Sequence, residues 1–217
     1  MSLYKNKYRV ESTRLPGWDY SSNGMYFITI VTQHRACNLG EIVAENIPVM
    51  KLTGFGKIVD TEWKKSFEIR NELFLDEYII MPNHLHAIVI INNNESMTMD
   101  KTVVDESDNV VETHGRASLQ SQPISQSQPF HRLPKSISSF LAGFKSAVNT
   151  KIDDYIDKND LNIPKYNRNN HFFQSNYHDH IIRSEIELYR IRQYIKNNAQ
   201  SWIFDSLNNQ GGISNEQ

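Results

Sequence analysis

An α+β fold with a ferredoxin-like split βαβ arrangement follows from three features of the sequence. Strand-like and helix-like segments succeed one another in the order β, α, β, β, α, β, α. The two central strands are parted only by Pro82-Asn83, a break that fits a hairpin or a sharp corner. The chain of 217 residues is 39% hydrophobic, with 10 Phe, 10 Tyr and 3 Trp, enough apolar material for one core. One domain over residues 1–217 with a central antiparallel sheet is therefore expected.

The elements follow in order. Residues 25–32 are β-branched and aromatic, come after the turn-like Ser21-Ser22-Asn23-Gly24, and read as a strand. Residues 51–69 carry Phe55, Ile58, Val59, Glu62, Trp63 and Phe67 at helical spacing. Two strands at 73–81 and 84–91 come next. Residues 92–131 lose all periodicity, hold the Gln/Ser/Pro run at 120–129, and read as a flexible insertion. A helix resumes at Ile137, where Phe140, Leu141, Phe144, Val148 and Ile152 form one apolar stripe. Asn and Pro at 159–170 mark a loop, 171–182 reads as a strand, and a last helix runs from Ser184 to Asn198. Ser184 suits its N-cap, with Glu185 and Glu187 in the first turn, where the helix dipole favours acids.

Composition excludes several classes. The single cysteine, Cys37, rules out an intramolecular disulfide and a multi-cysteine zinc site. The longest apolar stretches, such as Ala87 to Ile91, fall far short of the roughly 20 residues that cross a bilayer. The first ten residues lack the apolar region of a secretion signal. A soluble, cytoplasmic protein without membrane partners is expected. The net charge of −2 argues against DNA at first sight. Residues 92–114, however, hold six acids and one base, so the rest of the chain carries +3.

His84-Leu85-His86 opens a strand. Alternate strand residues face the same way, so the two imidazoles stand about 6.6 Å apart along the chain and can share a divalent metal. By itself such a pair is more often solvated than functional. His178-Asp179-His180 repeats the pattern, so a four-histidine zinc site is an alternative. Tyr194 and Asn198, four apart, share one helix face beside the apolar Leu188, Ile191 and Ile195, a setting that usually means packing. Arg132, Lys135, Lys145 and Lys151 form an acid-free basic stretch. Lys5, Lys7, Arg9 and Arg14 are interleaved with Tyr4, Tyr8, Trp18 and Tyr20, a mixture that suits single-stranded nucleic acid or a solvated face about equally.

Several segments in order resemble the REP-associated tyrosine transposases, members of the single-tyrosine HUH transposases. Met81-Pro82-Asn83-His84-Leu85-His86-Ala87-Ile88-Val89 is similar to their HUH motif. Tyr177-His178-Asp179-His180-Ile181-Ile182-Arg183 and Tyr189-Arg190-Ile191-Arg192-Gln193-Tyr194-Ile195-Lys196-Asn197-Asn198 resemble their nucleophile region. Leu133-Pro134-Lys135-Ser136 with Gly143-Phe144-Lys145 resembles their central helix, and residues 14–20 their approach to the first strand. Thr113-His114-Gly115-Arg116-Ala117-Ser118 looks like a further shared element within the insertion. The likeness spans about residues 8–202. It departs at Asn198-Ala199, where the family often has Asn-Pro, and at Phe173-Gln174, where it often has Trp-Gln.

The resemblance implies a single-stranded DNA endonuclease and transposase acting at short hairpin repeats. His84 and His86, completed by Asn198, would hold Mg²⁺ or Mn²⁺. Tyr194 on the C-terminal helix would be the nucleophile and form a 5′-phosphotyrosine link. Arg14, Lys135, Lys145, His180 and Arg183 would contact DNA, and the chain would act as a monomer or homodimer. The alternative is a catalytically inactive protein that binds DNA hairpins.

Overall fold

The computed structural model describes residues 3–4, 7–8, 15, 17–43, 46–93 and 134–208. The expected insertion at 92–131, apart from Asn92 and Asn93, and the DNA-contact candidate Arg14 lie outside the described residues. At the N-terminus Leu3–Tyr4 (β1) pairs with Lys7–Tyr8 (β2).

Four antiparallel strands form the central sheet: Gly24–Val31 (β3), Leu73–Ile80 (β6), His84–Ile91 (β7) and His178–Ile182 (β8), in the spatial order β6-β7-β3-β8. Counted along the chain, that order is second, third, first, fourth, the ferredoxin-like arrangement expected from the element succession. Gly40–Val43 (β4) and Val49–Leu52 (β5) pair as a separate two-stranded unit. The helices are Gly54–Glu68 (α1), Ile137–Lys158 (α2) and Glu185–Ser201 (α3). Each begins at a hydroxyl cap: Thr53, Ser136 and Ser184 accept from the backbone N–H three residues on. None of the described helices is long and apolar enough to cross a membrane.

The period-two alternation of the strands separates the two faces of the sheet. Tyr26, Ile28 and Ile30 of β3, with Leu85, Ala87, Val89 and Ile91 of β7, enter the main core. There they meet α1 and α2, whose Trp63 lies 4.9 Å from Phe144 and 5.4 Å from Phe140, centroid to centroid. The opposite face offers Ile88 and Ile182 to Leu188 and Ile195 of α3. His84 and His86, in phase with Ile88, share this second face.

A β-bulge at Asp76-Glu77 interrupts the pairing of β6 with β7 between Leu75 and Tyr78. In a regular strand, adjacent side chains point to opposite faces; the extra residue lets both carboxylates serve α3. Asp76 accepts two hydrogen bonds from Arg192, at 2.5 and 2.8 Å, and Glu77 lies 3.4 Å from the Lys196 ammonium. The two pairs grip α3 on either side of Tyr194.

The strand expected over 171–182 is a correction: only His178–Ile182 is strand, with an isolated bridge between Thr32 and Phe173. Phe172 and Phe173 are both buried in the main core. Two neighbours on one face are incompatible with a strand, so the chain here runs irregularly past the end of β3.

Candidate active site

β7 lies between β6 and β3, so the backbone beneath His84 and His86 is paired on both sides. His84 is opposite Val31, and His86 stands between Thr29 and Ile79. Both imidazoles are buried, at 0% and 4% exposure, and their centroids are 4.4 Å apart. The pair is therefore not solvated.

Hydrogen bonds assign the ring nitrogens. The Asn83 Nδ2 amide donates to the carbonyls of Leu207 (2.7 Å) and Arg35 (3.2 Å), which orients the amide and turns Oδ1 toward His84. His84 Nδ1 then donates to Asn83 Oδ1 at 2.8 Å, leaving Nε2 as a bare lone pair. His86 Nδ1 bonds Thr29 Oγ1 at 2.8 Å, and its Nε2 is 3.2 Å from the Tyr194 hydroxyl. Phe27 stacks on His86 at 5.2 Å and meets Tyr194 edge-on at 6.0 Å, so one ring supports both.

Burial pushes the pKa of both histidines down to about 3, with His84 adding to the effect on His86 and Asp205 opposing it. Both rings are thus neutral near pH 7, the form that binds metals. The Tyr194 phenol is raised above its ordinary value, first by burial and then by the charge of Asp205. A side-chain hydrogen bond from Asn198 acts the other way. Asn198 is itself buried, and its Oδ1 has no hydrogen-bond partner among the described residues.

Sequence reasoning missed Asp205. After α3 a single 3₁₀ turn, Trp202–Phe204, buries Trp202 and stands its ring 6.0 Å from that of His84. The turn delivers Asp205, whose Oδ2 is 3.9 Å from His84 Nε2. One donor atom each from His84, His86 and Asp205 lies within 4.8 Å of the others. Among the described residues, His84 Nε2 and Asn198 Oδ1 are buried acceptors without donors, and a carboxylate stands beside the first. The lone pairs of His84, His86 and Asp205, gathered within 4.8 Å, fit a divalent cation. Two imidazoles with a carboxylate suit Mn²⁺ better than Mg²⁺, which prefers oxygen.

The four-histidine zinc alternative is not assembled. His178 and His180 lie on β8, beyond β3, and His180 Nε2 is 2.6 Å from Glu187 Oε1. Among the DNA-contact candidates, Lys145 donates to the carbonyls of Gln174 (2.6 Å), Ser175 and Asn176 (both 3.3 Å) and so ties α2 to the irregular segment. Lys135 and Arg183 are exposed.

No protein-family model matches the chain. A Haemophilus influenzae protein described only as uncharacterized is 29% identical over 196 residues, covering 90% of this chain and 91% of that one. Among solved structures, a REP-associated tyrosine transposase bound to a REP hairpin superposes with a TM-score of 0.51 at 13% identity. The superposition covers 89% of this chain and 74% of the transposase. This chain has a transposase-like fold. The central antiparallel sheet and the C-terminal helix belong to that transposase-like architecture, and they carry the histidine pair and Tyr194 respectively.

Proposed function

We propose that this protein cleaves single-stranded DNA beside short hairpin repeats and transfers the cut strand through a 5′-phosphotyrosine intermediate, the chemistry of DNA transposition. One observation carries the proposal: the Tyr194 hydroxyl stands 3.2 Å from Nε2 of His86, at the edge of the His84, His86 and Asp205 group. A tyrosine hydroxyl beside a group that could hold a metal ion is placed where metal coordination can activate it as a nucleophile.

The Tyr194 oxygen attacks the scissile phosphorus and loses its proton as the new O–P bond forms. The bond to the 3′ oxygen breaks, and that oxygen takes up a proton to leave as a free 3′-OH. Attack by the 3′-OH of another strand reverses the step, so rejoining needs no ATP. Asn198 orients the phenol through its side-chain hydrogen bond, and Phe27 holds the ring beside His86. His84, His86 and Asp205, with Asn198 Oδ1, would hold Mg²⁺ or Mn²⁺. Bound there, the ion would polarise the phosphate and stabilise the charge of the transition state. Exposed Lys135 and Arg183 are proposed to meet the DNA backbone.

The test is a denaturing gel of the protein incubated with hairpin oligonucleotides bearing single-stranded flanks and Mn²⁺. A covalent adduct formed by the wild type and absent from Tyr194→Phe is expected. An equal adduct from the variant overturns the nucleophile. Salt-sensitive hairpin binding with no adduct favours the inactive binder instead.

A further inference from the structure

Asn83 is fully buried and makes hydrogen bonds in two directions. Its Oδ1 receives His84 Nδ1–H at 2.8 Å, while its Nδ2 donates to the Leu207 carbonyl at 2.7 Å and to the Arg35 carbonyl at 3.2 Å. Its own carbonyl is held by the Thr32 N–H and the Thr32 hydroxyl, both at 2.9 Å. Leu207 is two residues beyond Asp205, and the Leu207 N–H donates to Asp205 Oδ1 at 2.7 Å. A second tie runs to the same segment, from the Arg35 guanidinium to the Ser206 carbonyl at 3.1 Å. His34 and Arg35, in a second 3₁₀ turn at Gln33–Arg35 that supplies this tie, hold left-handed backbone with φ of 56° and 54°.

We infer that Asn83 is a positioning residue that couples two halves of the metal site: it sets which nitrogen of His84 faces Asp205, and it docks the C-terminal segment that carries Asp205. The inference rests on the metal reading above. An amide is suited to the task because it accepts on one side and donates on the other. An aspartate at 83 keeps the acceptor toward His84 but sets a carboxylate against the Leu207 and Arg35 carbonyls. An alanine removes both functions.

The experiment compares wild type, Asn83→Asp, Asn83→Ala, Asp205→Ala and both Asn83/Asp205 double variants. Three quantities are read: Mn²⁺ affinity by calorimetry, imidazole ¹⁵N shifts for the His84 tautomer, and hydrogen exchange over residues 205–208. Asn83→Asp should keep the Nδ1–H tautomer, speed exchange in the segment, and weaken Mn²⁺ by about 10- to 100-fold, the usual effect of losing a partner behind a ligand. Asn83→Ala should also mix the tautomers. In the Asp205→Ala background, Asn83→Asp should cost little more, because its target is gone. If Asn83→Asp does not fold, Asn83→Ala in the two backgrounds decides the matter, with less added loss expected beside Asp205→Ala. Folded Asn83 variants that bind Mn²⁺ as tightly as wild type overturn the inference, as do losses that simply add to that of Asp205→Ala. Wild type that binds no divalent ion overturns the metal reading itself, and this inference with it.

Discussion

The Tyr194 hydroxyl and Nε2 of His86 meet 3.2 Å apart across the join between α3 and the sheet, with ring centroids at 5.2 Å and planes inclined by 62°. The contact spans 108 residues of sequence. It depends on α3 lying at one rotation and one height on the sheet.

That placement is testable at the bulge. The Arg192–Asp76 pair is bidentate but part-exposed, so solvent screening limits its strength. A double-mutant cycle of Arg192→Ala and Asp76→Ala should give a coupling energy of about 1 kcal/mol by urea unfolding. The same variants should lower adduct yield by more than the stability loss explains, because α3 is then free to rotate. A cycle with zero coupling would show that the bulge does not orient the helix.

Acid should destabilise the metal-free protein through the histidine pair. Folded, both rings have pKa values near 3; unfolded, they return to the ordinary 6.5. Between those values the unfolded chain binds more protons than the native one, so stability falls as pH drops from 6.5 toward 3. The slope is up to about 1.4 kcal/mol per pH unit for each histidine. Urea midpoints in chelator should trace this fall, and His84→Gln/His86→Gln should flatten it. Parallel profiles would count against burial of neutral rings.

Asp205→Asn should act in two ways. Removing the carboxylate should weaken Mn²⁺ by more than about tenfold, since the proposed site makes it a direct donor rather than a partner behind a ligand. It should also lower the Tyr194 pKa in the metal-free protein, because Asp205 is the second largest cause of its elevation. The tyrosinate absorbance of Asp205→Asn, corrected by Asp205→Asn/Tyr194→Phe, measures that shift. An unmoved phenol would place the carboxylate away from Tyr194.

Deleting residues 95–112 removes six acids and one base. Non-specific DNA affinity at low salt should then rise, with the gain fading as salt screens it. Fluorescence anisotropy with a mixed-sequence oligonucleotide reads this directly. Unchanged affinity would mean that the acidic stretch exerts no influence on the basic body.

Strand and helix periodicity placed the histidine pair on one face and Tyr194 with Asn198 on another, but only the resemblance marked them as site residues. The sheet order followed from the same succession of elements. Asp205 was not legible: it is one acid in an aperiodic tail, and only the 3₁₀ turn after α3 aims it at His84. Asn83 reads as half of a turn signal beside Pro82, since nothing local shows an amide reaching a carbonyl 124 residues away. The β4–β5 pair escaped notice because its strands are short and partly exposed. At 171–177 an aromatic run suggested a strand, whereas Phe172 and Phe173 are both drawn into one core.

The position of Asp205 also sets the order in which the site is completed during synthesis. The histidines leave the ribosome first, the tyrosine more than a hundred residues later, and the carboxylate last of all. A nascent chain stalled at the end of α3 already carries Tyr194 but has neither Asp205 nor the Leu207 carbonyl that Asn83 grips. The arrangement leaves partial translation products without the acidic donor, so the full set of groups assembles only on chains read through to the tail.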